Sequence, residues 1–125
     1  MTTTKSIPLS RRLRQRFGGS HGIRDESLFL ASLDRPRNLF AYGDSPTLSD
    51  LAAAYAFGIA KNHPFIDGNK RTGFVIAAVF LELNGYSLDA PDSEVVGTME
   101  RLAQGLETQE SVALWMQSRS VKNVS

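Results

Sequence analysis

His63-Pro64-Phe65-Ile66-Asp67-Gly68-Asn69-Lys70-Arg71 is the stretch on which the reading of this chain turns. Nine positions bring together a titratable base, a carboxylate, a glycine turn and two adjacent cations. The stretch runs directly into an apolar segment, Thr72 to Leu83. Helix N-termini attract anions, because their free N–H groups and the macrodipole both favour negative charge. Asp67-Gly68-Asn69 is a turn able to present successive backbone N–H groups as a phosphate nest. Lys70 and Arg71 add full positive charge at that place, although two cations in a first helical turn oppose the macrodipole and cost local stability. A local rule broken in this way often marks a functional site. His63 and Asp67 lie four residues apart across a bend begun by Pro64, so both can face one pocket. Base, metal-capable carboxylate and phosphate cradle together point to phosphoryl or nucleotidyl transfer. Two plainer readings stand beside this one. His63 suits a helix C-terminus, where cationic side chains interact with the last carbonyls, and Asp67 suits an N-cap.

Outward from this stretch, both flanks read as buried helices. Thr47-Leu48-Ser49-Asp50 resembles a capping box with aspartate in its third helical position. It opens an alanine-rich helix, about Leu48 to Asn62, that is apolar on most faces and therefore expected to be central. Pro64 ends it, since the residue before proline is pushed out of helical geometry. The following helix, Asn69 to Leu83, carries Phe74 to Leu81 without interruption and stops at Asn84-Gly85. Phe74, Phe80 and Trp115 are read as core, and Phe65 as a hydrophobic anchor for the loop. Asp25 is the expected N-cap of a helix over Glu26 to Leu33, which Pro36 should break, leaving residues 35–46 as an extended loop or short hairpin. Val95, Met99, Leu102 and Ala103 support a helix over about 93–104; Val112, Leu114, Trp115 and Met116 support another over 109–118. Ser87-Leu88 is the only other strand-like spot. The expected fold is all-α: a helical bundle around two central antiparallel helices, with a short flap loop or hairpin. Residues 1–9 are expected to be disordered, 10–118 to form one domain whose first helix is Ser10 to Phe17, and 119–125 to be a flexible tail.

Composition narrows the function classes. The chain has 125 residues, enough for one domain with its own core. It has no cysteine, which excludes disulfides, zinc–thiolate sites and cysteine nucleophiles. Its net charge of +1 argues against a general polyanion binder. Arg11, Arg12, Arg14 and Arg16 crowd together, but without interleaved aromatics they read as a solvated face rather than a nucleic-acid patch. No apolar run approaches the roughly 18 residues that a membrane span needs. A soluble, cytoplasmic protein is expected.

The nine-residue stretch resembles the signature of the Fic/Doc family, H-x-F-x-(D/E)-(A/G)-N-(G/K)-R, with every fixed position matched. Gly18-Gly19, Gly22-Ile23-Arg24-Asp25 and Arg35 to Gly43 are similar to upstream blocks of the family's Doc (death-on-curing) branch. Leu83-Asn84-Gly85-Tyr86 is similar to the end of its central helix. The resemblance thus covers about residues 17–117. It implies that His63 is the catalytic base and Asp67 the Mg²⁺ ligand, and that Gly68, Asn69, Lys70 and Arg71 bind the phosphates of ATP. It also implies a target-docking flap at Leu39, Phe40, Ala41 and Tyr42, which would pair strand-like with the substrate; plain packing is the alternative for these four. The sequence departs from the family at Ser10 to Arg16, which is shorter and more charged than the usual first helix.

The eighth motif position divides the family. AMP-transferring members carry glycine there and a second arginine further on, where this chain has Lys70 and Phe74. The lysine pattern is that of Doc-like protein Ser/Thr kinases, toxins that pass the ATP γ-phosphate to elongation factor Tu and stall translation. AMP transfer is the alternative activity, a non-catalytic binding module a more distant one. The self-inhibiting (S/T)-x-x-x-E-(G/N) string of many Fic proteins is not found. The resemblance therefore implies a partner in trans, a small Phd-like antitoxin whose disordered tail folds on binding.

Overall fold

A computed structural model describes residues 25–62 and 68–123. In chain order these form α1 (Glu26–Tyr42), α2 (Leu48–Asn62), α3 (Asn69–Leu83), β1 (Tyr86–Leu88), α4 (Asp92–Ala103), α5 (Gln109–Arg119) and β2 (Ser120–Lys122). The all-α expectation holds. The expected helix over Ser10 to Phe17, the N-terminal arginines and residues 63–67 lie outside the described residues.

α2 is the axis of the molecule, packed against α1, α3 and α5. Its capping box forms: the Thr47 N–H donates to Asp50 Oδ2 at 2.9 Å and the Asp50 N–H to Thr47 Oγ1 at 3.0 Å. Such reciprocal bonds satisfy donors that the first turn leaves without partners. Ala52, Ala53, Ala54, Ala56, Ile59 and Ala60 are all fully buried. Small side chains on every face let three neighbours close in around one helix. α3 approaches closely through Gly73, where an added Cβ would sit 3.1 Å from the Ala56 carbonyl oxygen. Further along α3, Phe80 meets Tyr55 with ring centroids 5.2 Å apart. Leu81, near the end of α3, lines a small pocket with Leu48 and Ser49 at the start of α2, so the two central helices run antiparallel.

Two apolar clusters surround this pair. The larger joins Ala77 and Leu81 of α3 to Met99 and Leu102 of α4 and to Val112 and Met116 of α5, with the α2 alanines between them. The smaller packs Phe29 and Leu33 of α1 against Ile59 and Ile76. Phe74, Phe80 and Trp115 are half-buried and pack against the larger cluster rather than forming its centre.

Residues 35–42 differ from expectation. Asp25 does cap α1, accepting the Leu28 N–H at 3.1 Å, but the helix continues through Pro36 to Tyr42. Proline inside a helix removes one hydrogen bond and costs about 3 kcal/mol. Tertiary contacts offset this. Pro36 is buried, and Arg35 lies over the Phe57 ring at 4.3 Å while donating to Gln109 of α5. The Ser32 carbonyl, which loses its N–H partner to Pro36, faces Gly58; a Cβ there would lie only 3.0 Å from its oxygen. The helix ends at Gly43, whose N–H reaches Leu39 O at 2.7 Å. A side chain at this position would lie 2.4 Å from that same oxygen, so only glycine fits.

The C-terminal end also differs. Residues expected in a flexible tail form β2, antiparallel to β1 in the register Tyr86↔Lys122, Ser87↔Val121 and Leu88↔Ser120. Just before it, Glu94 ties α4 to α5. Arg119 donates to both its carboxylate oxygens at 2.6 Å, and the Trp115 indole N–H donates to Oε1 at 2.7 Å. The Arg119 hydrogen bonds, then that from Trp115, hold Glu94 below the ordinary glutamate range. A carboxylate lowered in the folded state stabilises the fold at neutral pH and loses that contribution as pH falls through its folded value. Wild-type melting temperature should therefore drop more steeply than that of Glu94→Gln below about pH 4.3, the ordinary glutamate pKa. Parallel acid limbs for the two proteins in thermal melts would refute the link.

Candidate active site

Gly68 is the first described residue after 63–67, and it adopts the left-handed conformation, φ 74° and ψ 20°. Among the described residues only Thr72 Oγ1, 4.0 Å away, would meet an added Cβ, and the positive φ by itself favours glycine. Gly68 is also the N-cap of α3 and supplies no side-chain cap. The capping position considered for Asp67 thus belongs to its neighbour. His63 and Asp67 themselves lie outside the described residues, so the structure gives no geometry for the assigned base and metal ligand.

The remaining motif residues line a cleft of about 450 Å³. On one side stand Gly68, Asn69, Lys70, Arg71 and Phe74, from the N-terminal turns of α3. Opposite them are Val95, Val96, Met99, Glu100 and Ala103 of α4. The volume falls within the usual small-molecule range. Its chemistry is divided. One end offers the start of α3 with its two cations; the walls are apolar except for Glu100.

The first turn of α3 holds no acidic residue, so its cations oppose the macrodipole as the sequence suggests. Charge compensation comes from elsewhere in the fold. Lys70 Nζ lies 2.9 Å from Glu100 Oε1, with both side chains about half exposed (48% and 47%). Among the described residues Arg71 has no such carboxylate partner. Phe74, which replaces the expected second arginine, turns into the cleft wall and packs against Trp115 with ring centroids 6.3 Å apart.

The end of α2 is anchored to α1. Asn62 Nδ2 donates to Ser32 Oγ at 3.0 Å, and Ser32 Oγ in turn lies 2.8 Å from Leu28 O and 3.2 Å from Gly58 O. This partly buried link holds Asn62, the residue directly before His63, to α1.

The residues assigned as a flap are placed differently. Leu39 to Tyr42 form the last turn of α1, about as exposed as surface residues can be at Phe40 (72%) and Tyr42 (86%). In this conformation their N–H groups bond within the helix, while the carbonyls that follow Leu39 in this last turn lie beyond the intrahelical ladder. The whole α4 wall was not legible as part of the site: the spacing of Val95 and Met99 marked only a helix, and nothing local marks Glu100. Among the described residues no group of three or more His, Asp or Glu could hold a metal by itself. No helix among them is long and apolar enough to cross a membrane.

The family model described as "Fic/DOC family" matches residues 2–81. A protein named Toxin Doc from Mycolicibacterium smegmatis is 41% identical over 75 residues, covering 59% of this chain and 58% of the relative. Protein kinase doc of Escherichia phage P1 is 35% identical over 78 residues, 62% of each chain. The matched part thus spans about three fifths of these curated relatives. The family match takes in α1, α2, the whole nine-residue signature and nearly all of α3, and on that ground the chain belongs to the Fic/DOC family.

Proposed function

We propose that this protein is a Doc-like toxin, a protein Ser/Thr kinase that transfers the γ-phosphate of ATP to elongation factor Tu. The observation that carries the reading is the pairing of Lys70 and Phe74 on one cleft wall. Lysine binds phosphate as a point charge and, unlike glycine, fills space over the helix N-terminus. At position 74 an aromatic ring leans on Trp115 in place of the arginine clamp that AMP-transferring members use. Both features favour the γ-phosphate orientation over AMP transfer. Kinship with a relative named as a protein kinase supports the same direction.

The assignment of roles follows the motif. His63 accepts the proton of the attacking hydroxyl, work that suits an imidazole at neutral pH without a shifted pKa. The backbone N–H groups that follow Gly68, with Lys70 and Arg71, receive phosphate oxygens. Such an arrangement fits a Mg²⁺ held mainly by phosphate oxygens and water, with Asp67 as its protein carboxylate, because Mg²⁺ commonly takes only one or two protein ligands. When bound, the metal would neutralise phosphate charge. A Phd-like antitoxin in trans would restrain the activity.

The test combines purified protein, Mg²⁺, ATP and recombinant elongation factor Tu, with intact mass as readout. The expected result is a gain of one phosphate, slowed by about 10² to 10⁴-fold in His63→Ala. A gain of one AMP would replace the kinase reading with AMP transfer. An unchanged mass, with phosphate appearing on another protein of a whole lysate, would reject elongation factor Tu as the target.

A further inference from the structure

The Lys70–Glu100 ion pair has a consequence for ligand binding that the motif alone does not contain. Both residues line the same cleft, and their charged atoms are 2.9 Å apart. Glu100 comes from α4, thirty residues further along the chain. An anion seated at the start of α3 within reach of Lys70 would also come within reach of the Glu100 carboxylate. Two anions cannot both use one ammonium at full strength, and in a cleft walled by Phe74, Val95, Val96 and Met99 their repulsion is less screened than in open water.

We infer that Glu100 is an affinity-determining residue of this cleft: its carboxylate competes with an incoming phosphate for the Lys70 ammonium. The inference rests on the proposed nucleotide site and adds to it the element that sets its strength. Binding is then an exchange. Arg71, with no carboxylate partner among the described residues, receives the phosphate along with the helix N–H groups. Lys70 joins only by giving up Glu100, so its net contribution in the wild type is small. The pair is half exposed, which limits the size of the effect, since such bridges are individually weak. Removing the Glu100 charge should tighten phosphate binding by about two- to fivefold, the range that an exposed pair supports.

The experiment titrates the full chain with Mg·ATP and, separately, with inorganic pyrophosphate by calorimetry, in wild type, Glu100→Gln, Lys70→Met and the double variant. Glutamine keeps the shape of the half-exposed side chain, and thermal melts verify that each variant is folded. Glu100→Gln should bind both ligands more tightly. Lys70→Met should weaken binding more in the Glu100→Gln background than in wild type; a structural role for Glu100 alone would not produce that coupling. Mg·ATP binding that is unchanged or weaker in Glu100→Gln overturns the inference and leaves the nucleotide reading standing. If pyrophosphate responds as expected while Mg·ATP does not bind, the inference stands and the nucleotide reading falls. Binding of neither ligand to any variant overturns both.

Discussion

Phe29→Ala should cost about 3–5 kcal/mol of folding stability. Phe29 is fully buried, packed with Leu33, Ile59 and Ile76 beneath Tyr55, in the cluster that attaches α1 to the central helices. Truncation loses the transfer free energy of the ring and leaves a cavity that neighbours can fill only in part. Domains of this size are stable by roughly 5–15 kcal/mol, so a large share of the total would disappear. The melting temperature should fall by on the order of 10 °C. Phe40→Ala in the same helix is the matched control. Its ring is 72% exposed, and a surface substitution of this kind should stay within about 0.5 kcal/mol. Equal losses for the two phenylalanines in chemical denaturation would mean that α1 does not pack through the Phe29 face. The comparison also tests the passage of the helix through Pro36, since Phe29 and Leu33 belong to the face whose burial offsets the proline.

Under the proposed kinase function, Arg71→Ala should lower kcat/KM for phosphoryl transfer by roughly 100-fold, comparable to the removal of one donor to a developing oxyanion. Arg71 follows Lys70 in the first turn of α3, lines the cleft and, among the described residues, has no carboxylate to neutralise it. Lys70 differs, because Glu100 already holds its charge. Lys70→Ala should therefore cost less than Arg71→Ala, although the two are neighbours in sequence with similar charges. Arg71→Lys should recover only part of the loss, since a guanidinium binds phosphate through two parallel donors and an ammonium does not. Steady-state kinetics on the phosphorylated target decides the order. A larger loss at Lys70 than at Arg71 would contradict the assigned division of labour between them.

Much of the bundle was legible because its signals are local. The helix over 48–62 follows from the Thr47–Asp50 box, which closes within four residues and forms as expected. The helix over 69–83 follows from an uninterrupted apolar run and its Asn84-Gly85 stop, where Gly85 indeed adopts a positive φ. Gly68 was marked by its place in the motif, and its left-handed backbone needs no long-range contact to explain it. Capping, turn geometry and apolar periodicity act over a few residues, so one sequence displays them directly. The elements that were misread depend instead on partners far along the chain. Pro36 stays helical because Arg35 reaches Phe57 and Gln109, and because Gly58 makes room for Ser32. Ser120–Lys122 is too short to read as a strand until Tyr86–Leu88 lies beside it. Glu100 enters the cleft only through the packing of α4 beside the start of α3. What the sequence by itself determined was the family signature, the two central helices and the charged, glycine-led start of α3. Tertiary structure alone decided which carboxylate faces Lys70 and which wall closes the cleft, because packing between distant helices, and not any local preference, brings those atoms within hydrogen-bonding distance.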